Sequence, residues 1–117
     1  VAVGSEEISL SGLEKEINKL FVEERLYLNP RLKLSDVARQ VGTNRTYLSR
    51  FFNQEKQMTF FDYVNNLRVE HAVSLLKNSD LRLNAIAEQS GFNSMSTFRR
   101  VFAAKQQCTP SEYRKRE

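Results

Sequence analysis

Apolar positions recur at helical spacing along nearly the whole chain, and turn residues divide the pattern into short segments. Ser11 and Glu14 have the spacing of a capping box. Behind them Leu13, Ile17, Leu20 and Phe21 form one face of a helix that Asn29-Pro30 should stop. LSDVARQV predicts a short helix capped by Ser35 and ended by Gly42, after which Asn44 caps NRTYLSRFFNQEKQ. Thr59 and Asp62 open a longer helix, TFFDYVNNLRVEHAVSLLKN, with an inner stripe of Phe60, Val64, Leu67, Ala72 and Leu75. LNAIAEQS, Gly91 and SMSTFRRVFAAKQQ repeat the arrangement of short helix, glycine and helix. Thr109, Pro110 and Glu112 begin a last helix, with Pro at its first position and Glu at its third. No β-branched alternation suggests a sheet. Only VAVGSEEISL lacks a period and reads as a linker or frayed end.

The repeat carries more information than any single segment. Leu34, Val37, Ala38, Gln40 and Gly42 match Leu83, Ile86, Ala87, Gln89 and Gly91, 49 residues later. Leu48, Arg50, Phe52, Thr59 and Tyr63 match Phe98, Arg100, Phe102, Thr109 and Tyr113, 50 residues later. The second copy therefore has one extra residue in its turn. Each copy is too small to fold alone, so the pair predicts two pseudo-symmetric lobes joined by the helix between them. Within a copy, Ala38 is small enough for a second helix to cross it closely. Gly42 permits a sharp turn, and Leu48 plugs the angle between the helices. This is the helix-turn-helix pattern, in which the second helix enters a DNA major groove. One such match also suits a plain bundle; two in one chain are far more specific.

Composition then excludes alternatives. The 117 residues fit one domain or two very small lobes, and 40% hydrophobic residues suffice for a modest core. A net charge of +4 and a pI near 9.4 lean toward anionic partners. Cys108 is the only cysteine, which suits a reducing compartment, and no apolar run approaches the roughly 20 residues of a membrane span. His71 is the only histidine, so a catalytic triad or a histidine-based metal site has little to work with. There is no glycine-rich phosphate loop. The reading is not an enzyme, with no catalytic residues, metal ligands or cofactor.

The motifs LSDVARQVGTNRTYLSRFF, FFDYVNNLRVEHAVSLL and IAEQSGFNSMSTFRRVFAAKQQCTPSEYR together resemble the DNA-binding domain of the AraC/XylS family of bacterial transcription regulators. The resemblance covers Leu13 to Arg116 and implies an all-α fold of seven helices, two helix-turn-helix lobes and a long connecting helix. On that basis residues 1–11 are a linker or disordered tail and 12–58 the N-terminal lobe. Residues 59–79 are the connecting helix and 80–117 the C-terminal lobe. The resemblance also implies double-stranded promoter DNA as partner, bound in two adjacent major-groove segments, an activator role through RNA polymerase, and a cytoplasmic location. The first residue is Val1 rather than Met, which favours attachment to a sensor or effector domain over a free-standing regulator. Tethering at the cytoplasmic face of a membrane is a further form of the same arrangement.

With Asn44 as cap, Arg45, Thr46, Ser49, Arg50 and Asn53 fall on one exposed stripe, while Leu48, Phe51 and Phe52 face the core. Positions corresponding to the family's base readers are Thr46, Ser49 and Arg50, and in the second lobe Met95, Ser96, Arg99 and Arg100. Arg45 suits either a base or a phosphate. Arginine is the usual bidentate reader of guanine, so the second lobe should be the more selective. Weaker phosphate candidates are Ser35 and Asn84 at helix starts, with Asn53, Lys56 and Lys105; Arg114, Lys115 and Arg116 could add electrostatic attraction. The bland alternative for each is a solvated side chain. The rival function is a helical protein-interaction module that has lost DNA contact.

Overall fold

A computed structural model describes residues 10–116. Seven α-helices account for most of them: α1 Leu10–Asn18, α2 Leu34–Val41, α3 Arg45–Phe51, α4 Phe60–Asn78, α5 Leu83–Gln89, α6 Met95–Gln106 and α7 Pro110–Arg116. Among the described residues there is no strand. No helix among them is long and apolar enough to cross a membrane.

The chain forms two compact units. Among the described residues, one comprises 10–26 and 32–63, the other Tyr27–Arg31 with 64–116. Helix α4 thus starts in the first and continues without a break into the second. In the first unit Leu13, Ile17, Phe21, Val37, Leu48 and Phe52 are fully buried. Phe21 and Phe52 pack edge-on against Phe60, and Tyr63 packs tilted against Phe52 with ring centres 5.0 Å apart. In the second unit Val69, Ala72, Leu76, Ile86, Ala87, Phe92, Phe98, Val101, Phe102 and Cys108 form one cluster. Burying one such side chain contributes roughly 1.5–3 kcal/mol.

The structure repeats what the sequence repeats. Asn44 Oδ1 accepts from the Tyr47 amide at 2.8 Å and Ser94 Oγ from the Thr97 amide at 3.1 Å, so each second helix has a side-chain cap. Helix α3 runs on into a π-helical turn, Phe52–Lys56, and closes at Gln57 with φ +58°. Helix α6 spans the equivalent residues and closes at Gln107 with φ +62°. Thr59 Oγ1 then accepts from the Asp62 amide at 3.1 Å, and Thr109 Oγ1 from the Glu112 amide at 3.0 Å. At α7 the box is reciprocal, because the Thr109 amide donates to Glu112 Oε1 at 2.8 Å.

Several local expectations are corrected. Ser11 lies inside α1, which begins at Leu10, so it is not the cap. The rest of the expected tail lies outside the described residues. The first helix does not persist to Asn29-Pro30: α1 passes into a π-helical turn, Lys19–Glu23, and Arg25 at φ +54° ends the run. Ser35 is in the first turn of α2, whose cap position is Lys33. The Lys33 amide donates to Asp36 Oδ2 at 3.1 Å, so an acidic third residue caps where a serine was expected. On α4 the deeply buried positions are Phe60, Val64, Val69, Ala72 and Leu76; Leu67 and Leu75 are only half-buried. Val69 and Leu76 thus take the places expected of Leu67 and Leu75, on a helix that supplies two cores in succession.

Candidate nucleic-acid interface

Each helix-turn-helix rests on one glycine in left-handed backbone, Gly42 at φ +78° and Gly91 at φ +92°. The amides that follow bond back to the crossing helix: Thr43 to the Ala38 carbonyl at 2.8 Å and Phe92 to the Ala87 carbonyl at 3.0 Å. These bonds set the angle at which α3 and α6 leave their turns. Leu48 and Phe98, both fully buried, fill that angle from the second helix. The extra residue of the second copy sits between Gly91 and Ser94, and it brings Phe92 into the core at 5.2 Å from Phe98.

The outer faces of α3 and α6 hold the sequence-derived candidates. Arg45, Thr46, Arg50 and Asn53 are exposed and Ser49 is half-buried, opposite Leu48, Phe51 and Phe52. Arg45, Thr46 and Ser49 line a shallow concavity of about 410 Å³ with Leu34. Ser35 joins Arg45 and Thr46 around a neighbouring one, so a phosphate candidate and two base candidates of the first unit share one surface. Arg39 lines it too, with only a loose 3.7 Å contact to Asp36 and a side chain 76% exposed. Sequence reasoning passed over Arg39. Its spacing on α2, one residue beyond the small Ala38 that meets α3, was the available signal.

On α6, Ser96, Arg99 and Arg100 are exposed, opposite Phe98, Val101 and Phe102. Met95 is half-buried and packs its thioether chain against the core of the second unit. Asn84, the exposed second residue of α5, lines a concavity with Met95, Asn93 and Ser94. Ser35, Arg45, Thr46 and Ser49 are thus brought together at the start of α3, and Asn84 and Met95 at the start of α6, while Arg50 and Asn53 lie further along the chain.

Three basic residues stand apart. Lys56 Nζ bonds Glu14 Oε2 and lies 5.8 Å above the Tyr63 ring, which gives it a packing role at the edge of the first core. Lys105 is half-buried in the last turn of α6, away from the N-terminal end where the other candidates gather. The Arg114 guanidinium donates to the carbonyls of Leu81 at 2.7 Å and Ser79 at 3.0 Å, and more weakly to Leu76 at 3.5 Å. It ties α7 to the segment that follows α4 and, through Leu76, to that helix's last turn, and is not a loose cation. His71 Nδ1 is paired with Ser90 Oγ at 3.2 Å.

Comparison with known proteins agrees with this geometry. A helix-turn-helix domain family matches residues 37–116. The HTH-type transcriptional regulator YfiF of Bacillus subtilis is 36% identical over 96 residues, 82% of this chain and 30% of its own length. The C-terminal domain of the two-component response regulator yesN from Fusobacterium nucleatum is 33% identical, with a TM-score of 0.78 over 86% of this chain and 97% of that one. The DNA-binding domain of AdpA, solved with a target DNA, shares the fold at 20% identity and a TM-score of 0.77, over 87% of this chain and 88% of that one. The chain spans less than half the length of the curated relatives it matches. Duplicated glycine turns, duplicated caps and these likenesses lead to one assignment: the chain belongs to the AraC-type helix-turn-helix family of transcription regulators.

Proposed function

We propose that this chain is the DNA-reading part of a larger transcription regulator and that α3 and α6 enter adjacent major-groove segments of one duplex. The observation that carries the reading is the duplicated stripe. Arg50 and Arg100 stand at equivalent positions, both exposed, on helices with equivalent caps and equivalent phenylalanine backing. Arginine at such a position reaches the O6 and N7 acceptors of guanine. Arg45, Thr46 and Ser49 read bases in the first segment, with Ser35, Arg39 and Asn53 toward phosphates. Ser96, Arg99 and Arg100 read the second, Met95 offers an apolar contact to a thymine methyl, and Asn84 lies toward the backbone.

The four reading positions differ between units: Arg45, Thr46, Ser49 and Arg50 against Met95, Ser96, Arg99 and Arg100. A covalently joined, unlike pair prefers an asymmetric site over a palindrome. The remaining parts of the proposal are an activator working beside RNA polymerase in the cytoplasm and a sensor or effector domain on the same polypeptide.

Selection of bound duplexes from a random pool, followed by a salt titration, tests the reading. A defined asymmetric consensus is expected, with log affinity falling linearly in log salt by about 0.9 per neutralised phosphate. Absence of binding to any duplex, or binding insensitive to salt, would overturn it in favour of a protein-interaction module.

A further inference from the structure

In chain order Tyr27–Arg31 lies between α1 and α2, yet it packs as part of the second unit. Three contacts hold it there. Arg68, half-buried on α4, donates from Nε to the Tyr27 carbonyl at 2.7 Å and from Nη2 to the Asn29 carbonyl at 2.9 Å. The Tyr27 ring meets the His71 ring edge-on, with centres 6.2 Å apart. The turn glycine Gly91 lies directly beneath, so close that a Cβ there would sit 2.4 Å from the Tyr27 carbonyl oxygen. Asn29 Oδ1 accepts from the Arg31 amide at 2.9 Å, which fixes the local turn, and Pro30 stiffens it.

Burial of the Arg68 guanidinium lowers its pKa, a desolvation cost that two charge-assisted bonds to carbonyls offset. What this clamp presents outward is Arg31. It is exposed and lines the concavity of about 470 Å³ that also holds Asn84, Asn93, Ser94 and Met95 at the start of α6. Glu88 is the one acidic side chain in that lining. Among the described residues the Arg31 guanidinium forms no ion pair, unlike Arg39 with Asp36 and Lys56 with Glu14. A cation on a pinned strap, beside the end of a recognition helix that meets base edges, is placed for the sugar-phosphate backbone flanking those bases.

We infer that Tyr27–Arg31 is an integral strap of the second DNA-reading unit and that Arg31 contacts a phosphate flanking the bases read by α6. The inference rests on the DNA-binding reading above. Arg68 is the positioning residue, acting through the strap and touching no DNA itself.

The test uses the whole chain and a mixed-sequence duplex about 30 base pairs long, roughly three helical turns. Arg31→Ala should lower the slope of log affinity against log salt by about 0.9 and weaken all sequences alike, with the selected consensus unchanged. Arg31→Lys should restore the slope. Arg68→Met, which keeps the aliphatic stem and drops both bonds, should give the same slope change, with little further change in the double variant. An unchanged slope for Arg31→Ala while the wild type binds normally overturns the inference and leaves the DNA-binding reading intact. An altered base preference would overturn it as well, by making Arg31 a base reader. A wild type that binds no duplex removes both.

Discussion

The two turn glycines have the same backbone and opposite surroundings. A Cβ built on Gly42 meets nothing within 4 Å, whereas one on Gly91 runs into the Tyr27 carbonyl at 2.4 Å and the Leu28 Cα at 3.0 Å. The first turn needs glycine for its left-handed φ alone. The second needs it for φ and for the approach of another piece of backbone. Other differences follow the same division: the first unit ends its recognition helix in a π-helical turn, while the second keeps regular helix through Gln106 and brings Phe92 into its core. A repeated motif can thus hold its caps and hydrogen bonds constant while the material packed over it makes one copy tolerant and the other not.

The sharpest way to break this comparison is to place alanine at both turns. Gly42→Ala should cost about 1–2 kcal/mol, the strain of a non-glycine residue in left-handed backbone. Gly91→Ala carries that strain plus an overlap costing about 1–3 kcal/mol, for a total of about 2–5 kcal/mol. Urea unfolding of the two variants checks it, and equal losses would show that the strap exerts no pressure on the second turn.

A middle-sized effect concerns the reading faces. Arg100→Ala should cost about 1–3 kcal/mol of binding on a selected site and relax preference at one base position. Arg50→Ala should do the same at a position in the other half of the site. Ser49 is a weaker reader than its counterpart Arg99, so the consensus half lost with Arg50 should be the less sharply defined one. Measured affinities on single-base variants of the selected duplex decide it. Uniform weakening on every sequence would reassign that arginine to a phosphate.

The smallest effect lies at the closing helices. Helix α4 continues for 19 residues beyond its threonine cap, while α7 has seven and depends more on its first turn. Bonds from the Thr109 amide and hydroxyl hold the Glu112 carboxylate below its ordinary pKa, helped by Arg116 and Lys115. A depressed acid adds stability above its unfolded pKa and loses it as pH falls through the folded value. Wild type should therefore lose thermal stability on acidification through the carboxylate range, and Glu112→Gln should flatten that part of the profile. A constant gap between the two at every pH would remove the charge from the explanation of this cap.

Much of the fold was legible because its determinants are local. Asn44, Thr59, Thr109 and both glycines act on backbone within a few residues, and the change from a 49- to a 50-residue offset locates the extra turn residue. The exposed stripe of α3 was equally readable, since helical periodicity alone separates Arg50 from Phe51 and Phe52, whereas the α6 candidates came from the resemblance. What escaped depends on contacts distant in sequence. Nothing in LYLNPR announces that Arg68, 41 residues beyond Tyr27, will hold it. Arg114 looked like a surface cation for want of knowing where the end of α4 would lie. The pairing of Lys56 with Glu14, 42 residues apart, was equally out of reach. The error at Ser35 was of another kind: two capping residues competed within one turn, and Asp36 prevailed.

The strap also governs the order in which the molecule can be made. A chain emerging from its N-terminus supplies Tyr27–Arg31 early, but Tyr27's partners Arg68, His71 and Gly91 arrive 41, 44 and 64 residues later. The second unit cannot be completed from residues 64 onward alone, and a cut at the boundary between units would deprive Gly91 of its cover. Closing so long a loop is a slow step compared with forming either helix-turn-helix from local contacts. The strap should therefore dock last, and its docking is the event that links completion of the second core to the earlier synthesis of the first.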